Sequence, residues 1–266
     1  MPLPSSPRTV VTGAGGGFGR AIALEIARRR GRLVLGDLDL EQCEQTAHLA
    51  MCDGAIQARA FRCDVTKLAD VEALAAACPD GIDLLVNNAG VSSAGPIGTL
   101  PIDDWRWTLD VDLWGVIHGC HVFIPLMRKQ GCGHVLNVAA AAAMISAPLM
   151  GAYNVAKAGV VSLSETLAAE LAGSEIGVTV ACPTFFRSDI VAKGRFEDEN
   201  TRKLAQRLMN KGGSSQTVAR KVIQAVERGD FYCLPMLDAK LLWWAKRMAP
   251  NALRRAIMLW TRFAQR

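Results

Sequence analysis

No two of the eight cysteines (Cys43, Cys52, Cys63, Cys78, Cys120, Cys132, Cys182 and Cys233) stand in a CxxC pair. That spacing excludes a ribbon-type zinc site and a thioredoxin-like couple, and leaves scattered thiols that behave as small buried hydrophobes. His118 and His121, with Cys120 between them, lie on one helical pattern with no further ligand in register, so no metal is expected. Aromatic residues are scarce, at 6%. The apolar half of the chain is therefore mostly small and aliphatic, as helices packed on a sheet would use. No clean apolar run suits a bilayer: the Ala-rich stretch from Val138 to Ala152 is short and broken by Ser146, Pro148 and Gly151. Met1 to Pro7 lacks the apolar core of a secretion signal, so the cytoplasm is the expected location. Low-complexity disorder is excluded, because charged residues amount to 21% and balance in sign over most of the chain.

The body also lacks basic excess. Of the net charge of +5, residues 236–266 hold +6 (Lys240, Lys246, Arg247, Arg254, Arg255, Arg262 and Arg266 against Asp238), leaving −1 for the rest. Binding of nucleic acid by the whole protein is disfavoured on that ground. A length of 266 residues fits one large domain, 1–235, with 236–266 as a basic amphipathic extension of it or a peripheral addition.

What the chain does have is alternation. Short continuous apolar runs at Thr9–Val11, Leu33–Leu35, Leu84–Val86, Val135–Val138 and Val178–Ala181 read as buried parallel strands. Between them lie helical patterns at Phe18–Arg30, Glu41–Met51, Lys67–Ala77, Asp104–Arg128 and Tyr153–Leu171. This order predicts an α/β fold, a doubly wound parallel sheet with helices on both faces. Ligands of such sheets bind at the carboxyl ends of the strands.

After the first strand comes Thr12-Gly13-Ala14-Gly15-Gly16-Gly17-Phe18-Gly19, leading into a helix. Gly13, Gly17 and Gly19 let the backbone turn tightly and approach a pyrophosphate at the helix N-terminus, where free N–H groups attract anions. Asp37, at the end of the second strand, stands where a carboxylate accepts the ribose hydroxyls of an adenosine and repels a 2′-phosphate. No Lys or Arg sits inside the loop or directly after Asp37, so NAD is preferred over NADP. A turn residue within Gly36-Asp37-Leu38-Asp39, with Asp39 capping the next helix, is the alternative role.

With these residues in view, the chain resembles the short-chain dehydrogenase/reductase family up to about residue 235. Thr12–Gly19 is similar to the family's TGxxxGxG, Asp64-Val65 to its adenine-contacting pair, Asn87-Asn88-Ala89-Gly90 to its NNAG, and Tyr153-Asn154-Val155-Ala156-Lys157 to its YxxxK. Pro183 stands at the family's nicotinamide-contacting PG, with Thr184 in place of the Gly. The resemblance implies a Rossmann-like sheet in a single domain, a nicotinamide cofactor and alcohol/carbonyl redox chemistry. It also implies a homodimer or homotetramer, built partly through the helices Asp104–Arg128 and Tyr153–Leu171. The cofactor contacts it implies are Gly13, Gly17, Phe18, Gly19, Asp37, Asp64, Val65, Asn88, Ala89, Gly90, Tyr153, Lys157, Pro183 and Thr184.

Tyr153 and Lys157 are i and i+4 on one helix, and so share a face. Reducing a carbonyl creates an alkoxide that needs a proton donor, and oxidation needs the reverse. A free phenol, with a pKa of about 10, is a poor base at neutral pH. A neighbouring ammonium can lower that value, which makes Tyr153 the candidate general acid/base and Lys157 the residue that tunes it.

Two positions depart from the family pattern. The serine expected thirteen residues before the tyrosine, where it polarises the substrate oxygen, is Ala140. Asp112, in Asp112-Leu113-Trp114-Gly115, replaces the Asn that in the family holds a bent helix and a water connecting the lysine to solvent. Alanine donates no hydrogen bond, and an ionised Asp112 opposes the ammonium field and raises the phenol's pKa. The outcomes are a slow enzyme, an engineered inactive form, or a chain that uses another hydroxyl, with Ser92, Ser93, Ser146 and Thr184 the candidates. The alternative to an enzyme is a dinucleotide-binding protein of low or no catalytic activity.

On the substrate side, Met144, Ile145, Leu149, Met150, Phe185 and Phe186 are apolar, with Arg187 the one cation among them. They suit a small hydrophobic alcohol, ketone or aldehyde, and packing of the core is their other use. Residues 197–212 are polar and consistent with a lid helix. Beyond them, Trp243, Trp244 and Trp260 join the basic residues of 238–266, which Pro250 divides into two short helices. That segment suits an anionic membrane surface, a neighbouring subunit, or the roof of the pocket.

Overall fold

The computed structural model describes the backbone of residues 3–264 and the side chains of 3–259. Seven parallel strands form one sheet: β1 (Arg8–Thr12), β2 (Arg32–Asp37), β3 (Gln57–Arg62), β4 (Leu84–Asn87), β5 (Cys132–Val138), β6 (Glu175–Ala181) and β7 (Tyr232–Cys233). Their spatial order is β3-β2-β1-β4-β5-β6-β7, so the chain reverses direction of growth between β1 and β4. That switch point opens a crevice at the carboxyl edge of the sheet.

Alternation along each strand sends neighbours to opposite faces. Val11 and Leu84 join a core with Ile22 of α1 (Gly17–Ala27), Cys43 of α2 (Leu40–Cys52) and Val222 of α9 (Ser215–Arg228). Val10 and Leu85 join a second core with Val71 of α3 (Leu68–Ala76), Phe123 of α5 (Gly115–Gln130) and Val160 of α7 (Gly151–Glu170). The remaining helices are α4 (Ile102–Leu109), α6 (Ala142–Ile145), α8 (Glu199–Lys211), α10 (Leu237–Met248) and α11 (Pro250–Ala264). The result is a Rossmann-like, doubly wound α/β sheet in a single domain.

All five expected strands form, and two more strands of this sheet were not expected; two short two-stranded pairs, Ser93–Ala94 with Arg195–Phe196 and Phe186–Arg187 with Gly213–Ser214, lie outside it. The edge strand β3 has Ala58, Ala60 and Phe61 interleaved with Gln57, Arg59 and Arg62, so its apolar signal is weak. The other edge strand, β7, has only two residues. The expected helix Asp104–Arg128 is α4 and α5 joined by a π-helical segment, Asp110–Trp114. Together they make a helix, Ile102–Gln130, long and apolar enough to cross a membrane by length and composition. The sequence reading had weighed only the Ala-rich stretch for that role. Here Val116, Phe123 and Met127 of this helix are buried against the sheet.

Candidate active site

β1 delivers the chain to Thr12, whose hydroxyl oxygen accepts the backbone N–H groups of Asn88 (3.1 Å) and Ala89 (3.2 Å). The Asn88 side chain answers by donating to the carbonyls of Thr12 (2.9 Å) and Gly13 (3.1 Å). The glycine loop therefore lies pressed against the Asn88-Ala89 turn. Gly13 has φ +65°, and a Cβ there would sit 2.7 Å from the Ala89 Cα. Gly17 has φ +51° and opens α1 directly toward the crevice. A bare backbone ending at a helix N-terminus, with no side chain to fill the cradle, fits a pyrophosphate. Phe18 turns inward and meets Phe186, with ring centroids 4.9 Å apart.

Asp37 takes the turn role weighed for it. Its carboxylate accepts the N–H groups of Gly15 (2.7 Å) and Asp39 (3.0 Å), holding the turn, while Asp39 caps α2 by accepting from the Gln42 N–H. Asp37 also lines the cavity. Arg20, directly after the glycine loop, spends its guanidinium on the Gly15 carbonyl, Thr46 and Gln42.

The cavity, about 1030 Å³, includes every expected cofactor contact: Gly13, Gly17, Phe18, Gly19, Asp37, Asp64, Val65, Asn88, Ala89, Gly90, Tyr153, Lys157, Pro183 and Thr184. Ala140 lines it too. Asp112 does not. It lies fully buried in the π-helical segment, behind Lys157. One of its oxygens accepts the Val91 N–H (2.7 Å) and the other faces the Lys157 Nζ at 3.2 Å. Lys157, itself buried, also donates to the Val138 carbonyl (3.2 Å). A π-bulge widens the helix by one residue, and such bulges recur at functional sites. Here it turns the Asp112 carboxylate onto the lysine.

Tyr153 sits in the first turn of α7 with the Lys157 Nζ 5.6 Å from its ring centroid. The phenol's pKa is pushed far above its ordinary value, first by burial and then by the Asp112 carboxylate. Burial likewise holds the Asp112 carboxyl above the usual carboxylate range, against the pull of Lys157. In the protein alone, then, the phenol's pKa is not lowered as the spacing suggested: burial first, and the Asp112 carboxylate second, raise it.

No hydroxyl from the four candidates is free to take the place of the serine. Ser92 donates to the Ile190 carbonyl (2.9 Å), Ser93 pairs with Thr108 (2.7 Å), and Thr184 donates to Asp238 (3.0 Å). Ser146 ends α6 outside the cavity lining, at φ +50°. The substrate end of the cavity is lined by Ile145, Leu149, Met150 and Phe185, whereas Met144 packs into the core and Arg187 is absent from the lining. α8 adds Asn200, Thr201, Leu204, Ala205, Leu208 and Met209, spaced to occupy one helical face.

Sequence reasoning missed a buried polar chain beneath the site. Asn87 donates to Asn137 (2.9 Å), which donates to Ser164 (3.0 Å), which donates to the Val160 carbonyl (2.7 Å). It ties β4, β5 and α7 together, and the readable signal was an amide in the midst of the apolar run Val135-Leu136-Asn137-Val138. Trp107, also in the lining, carried no signal, whereas Asp238 and Leu242 place α10 at the cavity, in keeping with the pocket roof weighed for 238–266.

Known proteins are similar to this chain in sequence and fold. The profile of the short chain dehydrogenase family matches residues 8–199. SadH of Mycobacterium tuberculosis, an oxidoreductase by its name only, is 32% identical over 248 residues, covering 87% of this chain and 86% of SadH. The 2-(R)-hydroxypropyl-CoM dehydrogenase of Xanthobacter autotrophicus is 36% identical over 180 residues, covering 65% of this chain and 72% of that enzyme. A short-chain dehydrogenase/reductase from Burkholderia phymatum, solved in complex with NAD, superposes with a TM-score of 0.87 at 33% identity, covering 94% of this chain and 95% of that one. On its sequence, its sheet and these likenesses, the chain belongs to the short-chain dehydrogenase/reductase family of oxidoreductases.

Proposed function

We propose that the protein is an NAD(H)-dependent oxidoreductase that interconverts a small hydrophobic alcohol with its ketone or aldehyde. The observation that carries this reading is the placing of Tyr153 and Lys157 in the wall of the cavity that the glycine loop floors. Gly13, Gly17 and the N-terminus of α1 would hold the pyrophosphate, Asp37 the adenosine ribose, and Lys157 the nicotinamide ribose. A nicotinamide bound there supplies or accepts the hydride. Tyr153 gives its proton to the oxygen of a carbonyl undergoing reduction, or takes one from an alcohol undergoing oxidation. With the phenol held protonated at neutral pH, donation is the direction served without further help, and oxidation gains as pH rises. Lys157 and Lys193 are the cations of the lining, and Asp37, Asp39 and Asp64 surround the adenosine end, which supports NAD over NADP. The apolar lining supports a lipophilic substrate. Exposed Trp114, Leu126 and Val155 on the π-helical segment, α5 and α7 support a homodimer or homotetramer. Nicotinamide absorbance followed with apolar alcohols and ketones, with NAD(H) and with NADP(H), tests the reading; turnover confined to NADP(H), or to polar sugars and acids, overturns it.

One observation favours a second reading, a dinucleotide-binding protein of little or no turnover: Ser92, Ser93 and Thr184 are hydrogen-bonded elsewhere and Ser146 lies outside the lining, so none of these four replaces the serine missing at Ala140. Calorimetric binding of NAD, without turnover in either the parent or Ala140→Ser, is the result that selects it.

A further inference from the structure

The last two helices leave an apolar surface uncovered. On α10, Leu237, Leu241, Trp244 and Met248 follow at helical spacing on one face and are 73%, 62%, 58% and 77% exposed. Such a stripe normally faces a core. It is not loose: the opposite face anchors the helix. Ala239 is fully buried, and Trp243 packs edge-on to Tyr232 with centroids 5.7 Å apart. The Arg247 guanidinium covers the Trp243 ring at 4.2 Å, and Asp238 accepts the Thr184 hydroxyl. The stripe is thus held outward. α11 continues the pattern, with Met258 and Leu259 exposed beside the exposed Arg254 and Arg255.

The charge around the stripe selects what covers it. Residues 236–266 carry +6 while the rest of the chain carries −1. Among the described residues, no carboxylate pairs with Lys240, Lys246, Arg254 or Arg255. A two-fold contact through this face would set one cationic patch against its copy, at an electrostatic cost. A surface offering both negative headgroups and an apolar layer satisfies cations and stripe together. We propose that α10 and α11 seat the protein on anionic phospholipid membranes, with the Leu237-Leu241-Trp244-Met248 stripe entering the headgroup boundary. Asp238 and Leu242 of the same helix line the cavity, so α10 stands between the pocket and the seated surface. The inference needs no turnover, and so stands or falls apart from the catalytic reading.

Sedimentation of the full chain with vesicles of phosphatidylcholine, alone or mixed with phosphatidylglycerol, tests it. The expected result is binding to the mixed vesicles alone, reversed by salt. Lys240→Gln and Lys246→Gln are expected to weaken it about five-fold per charge removed. Leu241→Gln and Trp244→Ser, both at exposed positions, are expected to abolish pelleting while NAD binding by calorimetry is retained. No pelleting of the parent, equal pelleting with neutral vesicles, or full pelleting of the stripe variants overturns the proposal. So does a stripe variant that changes only the oligomeric state by light scattering, which assigns the face to a second copy.

Discussion

The glycine-loop half of the crevice and the tyrosine corner are built on the same sheet, yet they differ in how far they keep the family pattern. In the first, Thr12, Gly13, Asn88 and Ala89 lock together through four hydrogen bonds, and Asp37 holds the Gly15 N–H. In the second, Tyr153 and Lys157 are present, but Ala140 offers no donor, Asp112 pairs with Lys157, and burial followed by the Asp112 carboxylate raises the phenol's pKa. A cradle made of backbone needs only glycines and a turn. A proton-transfer site needs several side chains at once, and each replacement there alters the charge felt by the others. Binding and chemistry are therefore separable in this protein, and substitutions can pull them apart.

The largest effect is expected from Tyr153→Phe, which removes the transferable proton. Turnover should fall about 10²–10⁴-fold, while the calorimetric affinity for NAD changes little. A loss of both would merge the two regions into one functional unit. Ala140→Ser works in the opposite direction: restoring a donor to the substrate oxygen should raise kcat/KM about 10²–10³-fold, again without altering nucleotide affinity. Asp37→Asn acts on the other region alone, weakening NAD binding roughly 10- to 100-fold through lost charged hydrogen bonds. Its kcat at saturating nucleotide should match the parent's.

Asp112→Asn bears on the boundary between them. Removing the carboxylate deletes one of the two causes that raise the Tyr153 pKa. The pH–rate profile for alcohol oxidation should consequently shift to lower pH, while the amide can still accept the Val91 N–H. Asp112→Ala should cost roughly 3–5 kcal/mol of stability, since it leaves Lys157 buried without its counter-ion. An unshifted profile for Asp112→Asn would show that the pair is structural only.

Acid should weaken the fold independently of the site. His134 on β5 is buried against the Thr179 hydroxyl (2.8 Å), and burial lowers its pKa from 6.5 to about 4. The unfolded chain takes up a proton below pH 6.5 that the folded one refuses until about pH 4. Stability is thus fully present above the first value and is lost as pH falls toward the second, by about 3 kcal/mol. Urea melts across that range, compared with His134→Gln, should show the slope flatten in the variant. An equal slope would place the loss on other groups.

The strand–helix alternation and the order of the motifs were legible because both depend on neighbours in sequence. A glycine must precede a tight turn, and Tyr153 and Lys157 share a face simply because they are four residues apart. The edge strand β3 was not legible, since its alternation of Ala58 and Ala60 with polar neighbours carries too little hydrophobic contrast. Nor was the fate of the missing hydroxyl. Ser92 and Ser93 look available along the chain, but Ile190 and Thr108, brought in from distant segments, take them up. The chain Asn87–Asn137–Ser164 was hidden for the same reason, as its members lie 50 and 27 residues apart.

By itself, then, the sequence determined the doubly wound sheet, the glycine-rich turn and the sharing of one helix face by Tyr153 and Lys157, all of which follow from local spacing. Only the tertiary structure decided where the charges go. The π-helical turn carries Asp112 onto Lys157, and burial removes the water that would otherwise screen the carboxylate from Tyr153. Dielectric surroundings belong to the packed molecule, and no stretch of chain contains them.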